Sequence, residues 1–253
     1  MSAGGGPDVA HGAGTGERSR AAAGANHEGA SAGGGPDFPD GMETGERSRA
    51  AAGANHQGAR LLLVRHGQST WNAEGRWQGQ ADPPLSSLGE EQARAAAASP
   101  ELQGIDAWWS SDLRRAAETA DLVVAGRGTC NVDPRLRERH AGEWEGLTKA
   151  EIDAAWPGFL AEHRRPAGWE DDEPLLVRAL DALHEIAAAS AGGRVLVVTH
   201  GGVIRALERR LAADDLPVPN LGGRWVGIDA DSMELGERVL LVDVGQVTVP
   251  GQI

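Results

Sequence analysis

Two short apolar runs, Leu61 to Val64 and Val195 to Val198, each lead within two residues to a histidine followed by glycine: Arg65-His66-Gly67 and His200-Gly201. A brief aliphatic run bounded by polar residues reads as a buried strand. A strand ending in a reactive side chain is a common active-site arrangement in open α/β sheets. Two such strands lying side by side bring both histidines into one pocket. Glycine after each lets the backbone turn sharply and approach a ligand.

The rest of the chain alternates strand and helix signals. Arg60 to Val64 reads as the first strand, and Gln68 to Pro84 as a loop over the mouth of the site. Ser86 or Ser87 caps the next helix; Ser87 and Glu90 have capping-box spacing, and the alanine-rich run to Ala98 favours a helix. Ile105 to Trp109 reads as a strand, followed by Ser110-Ser111-Asp112 and a helix from Arg114 to Val124. Cys130 to Val132 is a third strand and Pro134 to Gly146 a polar loop. Thr148 with Glu151 caps a helix that ends at Pro157, and Phe159 to Trp169 is irregular. Pro174 opens a long helix to Ala189, before the strand Arg194 to Thr199 and the helix Val203 to Ala212. Trp225 to Asp229 and Arg238 to Val242 read as a closing edge pair. Strands separated by helices predict a three-layer α/β/α sandwich with a mostly parallel central sheet.

Composition divides the 253 residues in two. Residues 1–59 hold 15 glycines and none of the eight tryptophans, and are two copies of one 29-residue unit, Ser2 to Ala30 and Ser31 to Ala59, alike at 23 positions. Glycine, alanine and charge offer no apolar face to repay chain ordering, so this tail is expected to be disordered. Residues 60–253 carry the core and form one expected domain. The net charge is -13, and the chain has a single lysine. That balance argues against non-specific nucleic-acid or anionic-membrane binding. Cys130 is the only cysteine, so no intramolecular disulfide forms, which fits a reducing compartment. No apolar run is long enough to span a membrane, and no secretory signal core is visible. The expected location is cytoplasmic; Met42 is a possible internal start.

Arginines at strand ends beside the histidines would make a rigid anion site, because the guanidinium fork suits phosphate oxygens. Phosphoryl transfer needs an in-line nucleophile and positive charge around the equatorial oxygens. Neutral imidazole can be the nucleophile, and a carboxylic acid can protonate the leaving alkoxide. Leu136-Arg137-Glu138-Arg139-His140 supplies such an acid, Glu138, in a loop.

The ordered motifs resemble the histidine phosphatase superfamily, in its phosphoglycerate-mutase-like phosphatase branch. They are Leu62-Leu63-Val64-Arg65-His66-Gly67-Gln68-Ser69-Thr70-Trp71-Asn72; Gly79-Gln80-Ala81-Asp82-Pro83-Pro84-Leu85-Ser86 with Gly89; Ser110-Ser111-Asp112-Leu113-Arg114-Arg115-Ala116 with Thr119-Ala120; Leu136-Arg137-Glu138 with Gly142 and Trp144-Glu145-Gly146; and Val197-Val198-Thr199-His200-Gly201-Gly202. The resemblance implies His66 as the nucleophile that becomes phosphohistidine, and Arg65, Arg114 and His200 as the phosphate pocket. It implies Glu138 as the general acid. It also implies substrate or phosphate contacts at Asn72, Gln78 and Gly79, and outer-pocket positions for His140 and Trp144. No metal or other cofactor is expected.

The resemblance extends to mutases, which pass the phosphoryl group to a second hydroxyl. Those usually carry tyrosine where this chain has Ala141, and a longer, more basic insertion before the second histidine. Here Glu138 and His200 are 62 positions apart, with acidic Asp171-Asp172-Glu173 between them. These departures favour hydrolysis over a mutase, with a catalytically silent interaction module as the remaining alternative. Leu216 to Trp225 resembles actinobacterial members of the glucosyl-3-phosphoglycerate phosphatase type. The expected partner is a small phosphate monoester, a sugar phosphate or phosphoglycerate derivative, acted on by a monomer or homodimer.

Overall fold

The computed structural model describes residues 58–213, 215–243, 245 and 247–249; the expected disordered tail lies outside the described residues, apart from its last two positions. The chain runs through β1 (Ala59–Arg65), α1 (Thr70–Glu74), α2 (Ser87–Ala96), β2 (Ala107–Ser110), α3 (Arg114–Val124), β3 (Cys130–Val132) and α4 (Lys149–Ala155). It continues with α5 (Asp172–Ala189), β4 (Arg194–Thr199), α6 (Gly201–Arg210), β5 (Gly222–Ile228) and β6 (Met233–Leu240).

One six-stranded sheet has the order β3-β2-β4-β1-β5-β6. The first four strands in sequence are mutually parallel, while β5 runs antiparallel to β1 and β6 antiparallel to β5. The sheet is mixed and mostly parallel, as expected: three neighbouring pairs are parallel and two antiparallel. Only β6 is an edge strand of the expected closing pair; β5 is internal, inserted between β1 and β6.

Side chains of β1 and β4 alternate between the two faces, as the two-residue period of a strand requires. Leu62, Val64, Leu196 and Val198 pack with Ala93 and Ala96 of α2 and Ala116, Ala120 and Val123 of α3. Leu61, Leu63, Val195 and Val197 pack with Ala182, Leu183 and Ile186 of α5 and Ile204 and Leu207 of α6. Both faces of the central strands are covered, which is why their sequence is continuously aliphatic. Alanine on α2 and α3 lets those helices approach the sheet closely.

Local signals set most boundaries. Thr148 and Glu151 form the expected capping box of α4. At α2 the N-cap is Ser86, whose side chain accepts from the Gly89 amide, while Glu90 instead pairs with Arg94 one turn on. The stretch read as a loop over the site contains α1, capped reciprocally by Ser69 and Asn72. The long helix begins two residues before Pro174, with Asp171 as N-cap. The start of β5 is masked in sequence by Gly222 and Gly223, which carry no strand signal; a Cβ on Gly223 would lie 2.2 Å from the Leu63 carbonyl oxygen. No helix among the described residues is long and apolar enough to cross a membrane.

Candidate active site

The parallel register of β1 and β4 pairs Leu61 with Val195 and Arg65 with Thr199, so the next residues, His66 and His200, leave the sheet side by side. The His66 amide donates to the Thr199 carbonyl at 3.0 Å, and the two imidazoles meet edge to face with centroids 5.2 Å apart. His200 is also the N-cap of α6. Both histidines are fully buried.

The backbone at His66 is held close to α2. A Cβ on Gly67 would lie 2.7 Å from the Gly89 carbonyl oxygen, and one on Gly89 would lie 1.9 Å from the Gln68 carbonyl oxygen. His66 Nδ1 lies 2.6 Å from the Gly67 carbonyl oxygen. A carbonyl can only accept, so Nδ1 carries the proton and Nε2 keeps its lone pair. Burial, reinforced by Arg115 and Arg65, holds His66 well below the usual imidazole value of 6.5. His200 is lowered for the same leading reason, with Arg115 and His66 adding to it. Both shifts favour the neutral imidazole at pH 7, which leaves His66 Nε2 with a lone pair.

Two buried arginines flank the histidines, and Arg115 donates to this nitrogen. Arg65 donates to the Val218 carbonyl at 2.7 Å. Arg115 Nε lies 3.2 Å from His66 Nε2, while its other nitrogens donate to the Gly79 and Ala81 carbonyls at 2.9 and 2.8 Å. Burial lowers each arginine to about 10, leaving both charged at neutral pH.

Arg114, the expected phosphate ligand, is not in this group. It is exposed, pairs with Glu118 at 2.6 Å and does not line the cleft. The difference is one step of helical phase: successive residues on α3 are turned by roughly 100°. Arg115, Ala116, Thr119 and Ala120 lie on the buried stripe, whereas Arg114 and Glu118 lie outside it. The apolar spacing of Ala116, Ala120 and Val123 was the signal that could have selected Arg115. Thr119 completes the connection by accepting from the Gly67 amide at 3.0 Å and donating to the Arg115 carbonyl at 2.6 Å.

Glu138 approaches from the loop after β3. Its carboxylate accepts from the Gly202 amide at 2.9 Å and from the Arg139 amide at 2.8 Å. A Cβ on Gly202 would stand 2.0 Å from Glu138 Oε1, so the second glycine after His200 makes room for this acid. A carboxyl has about four lone-pair sites, so two N–H bonds leave a place for a transferable proton.

Arg65, His66, Asn72, Gln78, Gly79, Arg115 and Glu138 line one cleft of ≈ 880 Å³. Gln78 accepts from the Ser69 hydroxyl at 2.7 Å, and Gly79 contributes the carbonyl that orients Arg115. His140 does not line the cleft; its Nδ1 accepts from the Gly142 amide and lies 3.3 Å from Glu145. Trp144 is fully buried in an edge-to-face cluster with Trp77 and Trp169, behind the outer wall. Asn220, to which the sequence reading gave no role, donates from its side chain to the His66 carbonyl at 2.8 Å.

The outer wall is cationic although the chain is acidic. Eight arginine and lysine side chains line the cleft against four carboxylates. Asp172 bonds Arg139 and Arg209; burial opposes its ionisation, but those two arginines hold it down to about 2. Asp215 pairs with Arg205 and Arg209. Arg165 has no carboxylate partner among the described residues; its guanidinium stacks on Trp169 at 4.5 Å.

Comparison with known proteins gives this geometry a family. The profile of the histidine phosphatase superfamily (branch 1) matches residues 61–224. The chain belongs to that superfamily. It is 38% identical over 205 residues to a glucosyl-3-phosphoglycerate phosphatase of Mycolicibacterium vanbaalenii, covering 73% of this chain and 90% of the relative. It is 41% identical over 197 residues to a metal-independent phosphoserine phosphatase of Arabidopsis thaliana, covering 72% and 79%. A mycobacterial glucosyl-3-phosphoglycerate phosphatase solved in complex with VO3 superposes with a TM-score of 0.62 at 33% identity, covering 73% of this chain and 99% of that one.

Arg115→Ala should weaken binding of inorganic phosphate, measured by calorimetry, by about 10–100-fold, the range of one or two charge-assisted hydrogen bonds. Arg114→Ala should change it by less than about twofold; the reverse order would refute the helical phase assigned here. The depressed histidines also bear on stability. Below about pH 6.5 the unfolded chain takes up protons that the folded His66 and His200 refuse, so stability falls as pH falls, by up to about 1.4 kcal/mol per histidine per pH unit. Urea unfolding of His200→Asn should show a shallower fall than wild type; equal slopes would mean His200 is not held neutral.

Proposed function

We propose that this phosphatase hydrolyses a small phosphate monoester through a phosphohistidine on His66. The carrying observation is the ring geometry of His66: Nδ1 lies 2.6 Å from the Gly67 carbonyl oxygen, which leaves Nε2 as the acceptor of the buried Arg115 Nε–H at 3.2 Å and exposes its lone pair to the cationic side of the cleft. Nε2 attacks phosphorus and the ester P–O bond breaks. Arg65, Arg115 and His200 stabilise the charge spread over the equatorial oxygens. Among the described residues, both ring nitrogens of His200 are buried without a hydrogen-bond partner, and its N–H would find one in a phosphoryl oxygen. Glu138 gives its proton to the leaving alkoxide. In the second step a water attacks the phosphohistidine, Glu138 takes the water's proton, the P–N bond breaks, and phosphate leaves with His66 returned to its neutral form.

The outer wall supports a substrate that carries a second anionic group, such as a phosphorylated glycerate or amino acid derivative. Asp172 and Asp215 offset Arg139, Arg205 and Arg209, while Arg165 makes no carboxylate ion pair among the described residues. The same offset weakens the grip a mutase needs on a doubly charged intermediate, and so favours hydrolysis. The scheme routes every charge and proton through these side chains and calls on no metal. The lone Cys130 and the absence of a membrane-crossing helix among the described residues support a cytoplasmic enzyme.

Phosphate release across a panel of phosphorylated metabolites, without added metal, tests the reading. Esters bearing a carboxylate should be turned over faster than uncharged analogues, and free phosphate should be the product. Glu138→Gln should slow turnover by about 10²–10⁴-fold for alkyl esters and much less for aryl esters with good leaving groups. An isomerised phosphoester as main product would instead establish a mutase. Equal slowing of both ester classes would remove Glu138 from the proton-donor role.

A further inference from the structure

Asn220 lies 154 positions from His66, within the Leu216 to Trp225 stretch but with no role drawn from it, and it is completely buried and bonded at both ends of its amide. Its Nδ2 donates to the His66 carbonyl at 2.8 Å and to Asn72 Oδ1 at 3.4 Å. Its Oδ1 accepts from the Thr248 hydroxyl at 2.8 Å, and its backbone amide donates to the Thr248 carbonyl at 2.9 Å. Gln92 of α2 donates to the same hydroxyl at 3.3 Å. A carbonyl cannot donate, so the end of Asn220 facing His66 is its NH2 group, and the amide has one permitted orientation.

The same reasoning orients Asn72. Its Oδ1 accepts from the Ser69 backbone amide at 3.3 Å, and a backbone amide can only donate. The bond from Asn220 reaches that same oxygen. With the oxygen committed on this side, the remaining polar end of Asn72 is its NH2 group, and Asn72 lines the cleft.

We propose that Asn220 is a positioning residue that acts through two others: it fixes the His66 backbone from which the nucleophilic ring projects, and it turns the Asn72 NH2 towards the phosphate site. The second half rests on the phosphatase reading of the cleft. Residues 247–249 form the outer support, because Thr248 supplies both an acceptor and a donor to Asn220. A buried amide missing these partners would pay a desolvation cost of its own, so the network holds as a unit. The two bonds reach different partners, which separates the two effects: the one to the His66 backbone bears on kcat and the one to Asn72 on phosphate affinity.

Asn220→Asp is nearly isosteric, but it sets an oxygen against the His66 carbonyl and Asn72 Oδ1. Thermal unfolding identifies folded protein; if Asn220→Asp does not fold, Asn220→Ser takes its place. Two readouts are taken, kcat on an aryl phosphate and the affinity for inorganic phosphate by calorimetry. The expected result is a kcat lower by about 10²-fold, the scale of a misplaced reacting group, and phosphate binding weaker by about tenfold. Combined with Asn72→Ala, the losses in phosphate affinity should fail to multiply, because both act through one amide. A folded variant within about twofold of wild type in both readouts would overturn the proposal, as would losses that multiply in full. Calorimetry does not depend on turnover. A wild-type protein that binds phosphate but hydrolyses no ester would sink the phosphatase reading, while the binding data would still decide the role of Asn220.

Discussion

The in-register parallel pairing of β1 with β4 is the constraint on which the site depends. It runs from Arg60 opposite Arg194 to Arg65 opposite Thr199, and both strands end at the same level. His66 and His200 follow as neighbours because the backbone leaves them no other place. Burial on both faces fixes this register: a slip of one residue would turn Leu62 and Val198 to the opposite layers. Once the histidines are set, the elements around them have only to bring in charge. Arg115 arrives on the first turn of α3, Glu138 on the loop after β3, and Asn220 on the turn before β5.

Burial drives the electrostatics as much as charge does. Placing two guanidinium groups beside two imidazoles in a dry pocket is unfavourable unless the imidazoles stay neutral, and this keeps a lone pair on His66 at working pH. The arginines are held by carbonyl oxygens of Val218, Gly79 and Ala81 rather than by carboxylates, so their full charge remains available to an anion. Farther out the arrangement changes, and Asp172 and Asp215 offset most of the arginines. An acidic protein thus gathers positive charge along the cleft that leads to His66.

Much of this was legible in the sequence where one local signal decided the outcome. The continuous aliphatic runs identified β1 and β4, and the Thr148–Glu151 pair identified the start of α4. Errors arose where the outcome depended on a single residue of phase or on distant backbone. Arg114 and Arg115 are chemically identical neighbours, and only the buried stripe of α3 separates them. Ser86 and Ser87 are equally good caps, and the choice follows from Gly89 lying against Gln68. The β5 strand begins with two glycines that carry no propensity for it, but Gly222 fits against Pro219 and Gly223 against Leu63 and Val64. His140 shares a motif with Glu138 but turns away towards Glu145. Asn220 could not be found by spacing at all, because its partners lie at both ends of the domain.

The central claim is that His66 Nε2 accepts the phosphoryl group. The most direct measurement is to quench the enzyme in alkali during turnover of a phosphorus-labelled ester and locate the label by peptide mass spectrometry and phosphorus NMR. The account predicts one acid-labile phosphoryl group on the peptide carrying His66, attached at Nε2 and absent from His66→Ala. Steady turnover with no labelled enzyme, or a label on His200, would contradict it.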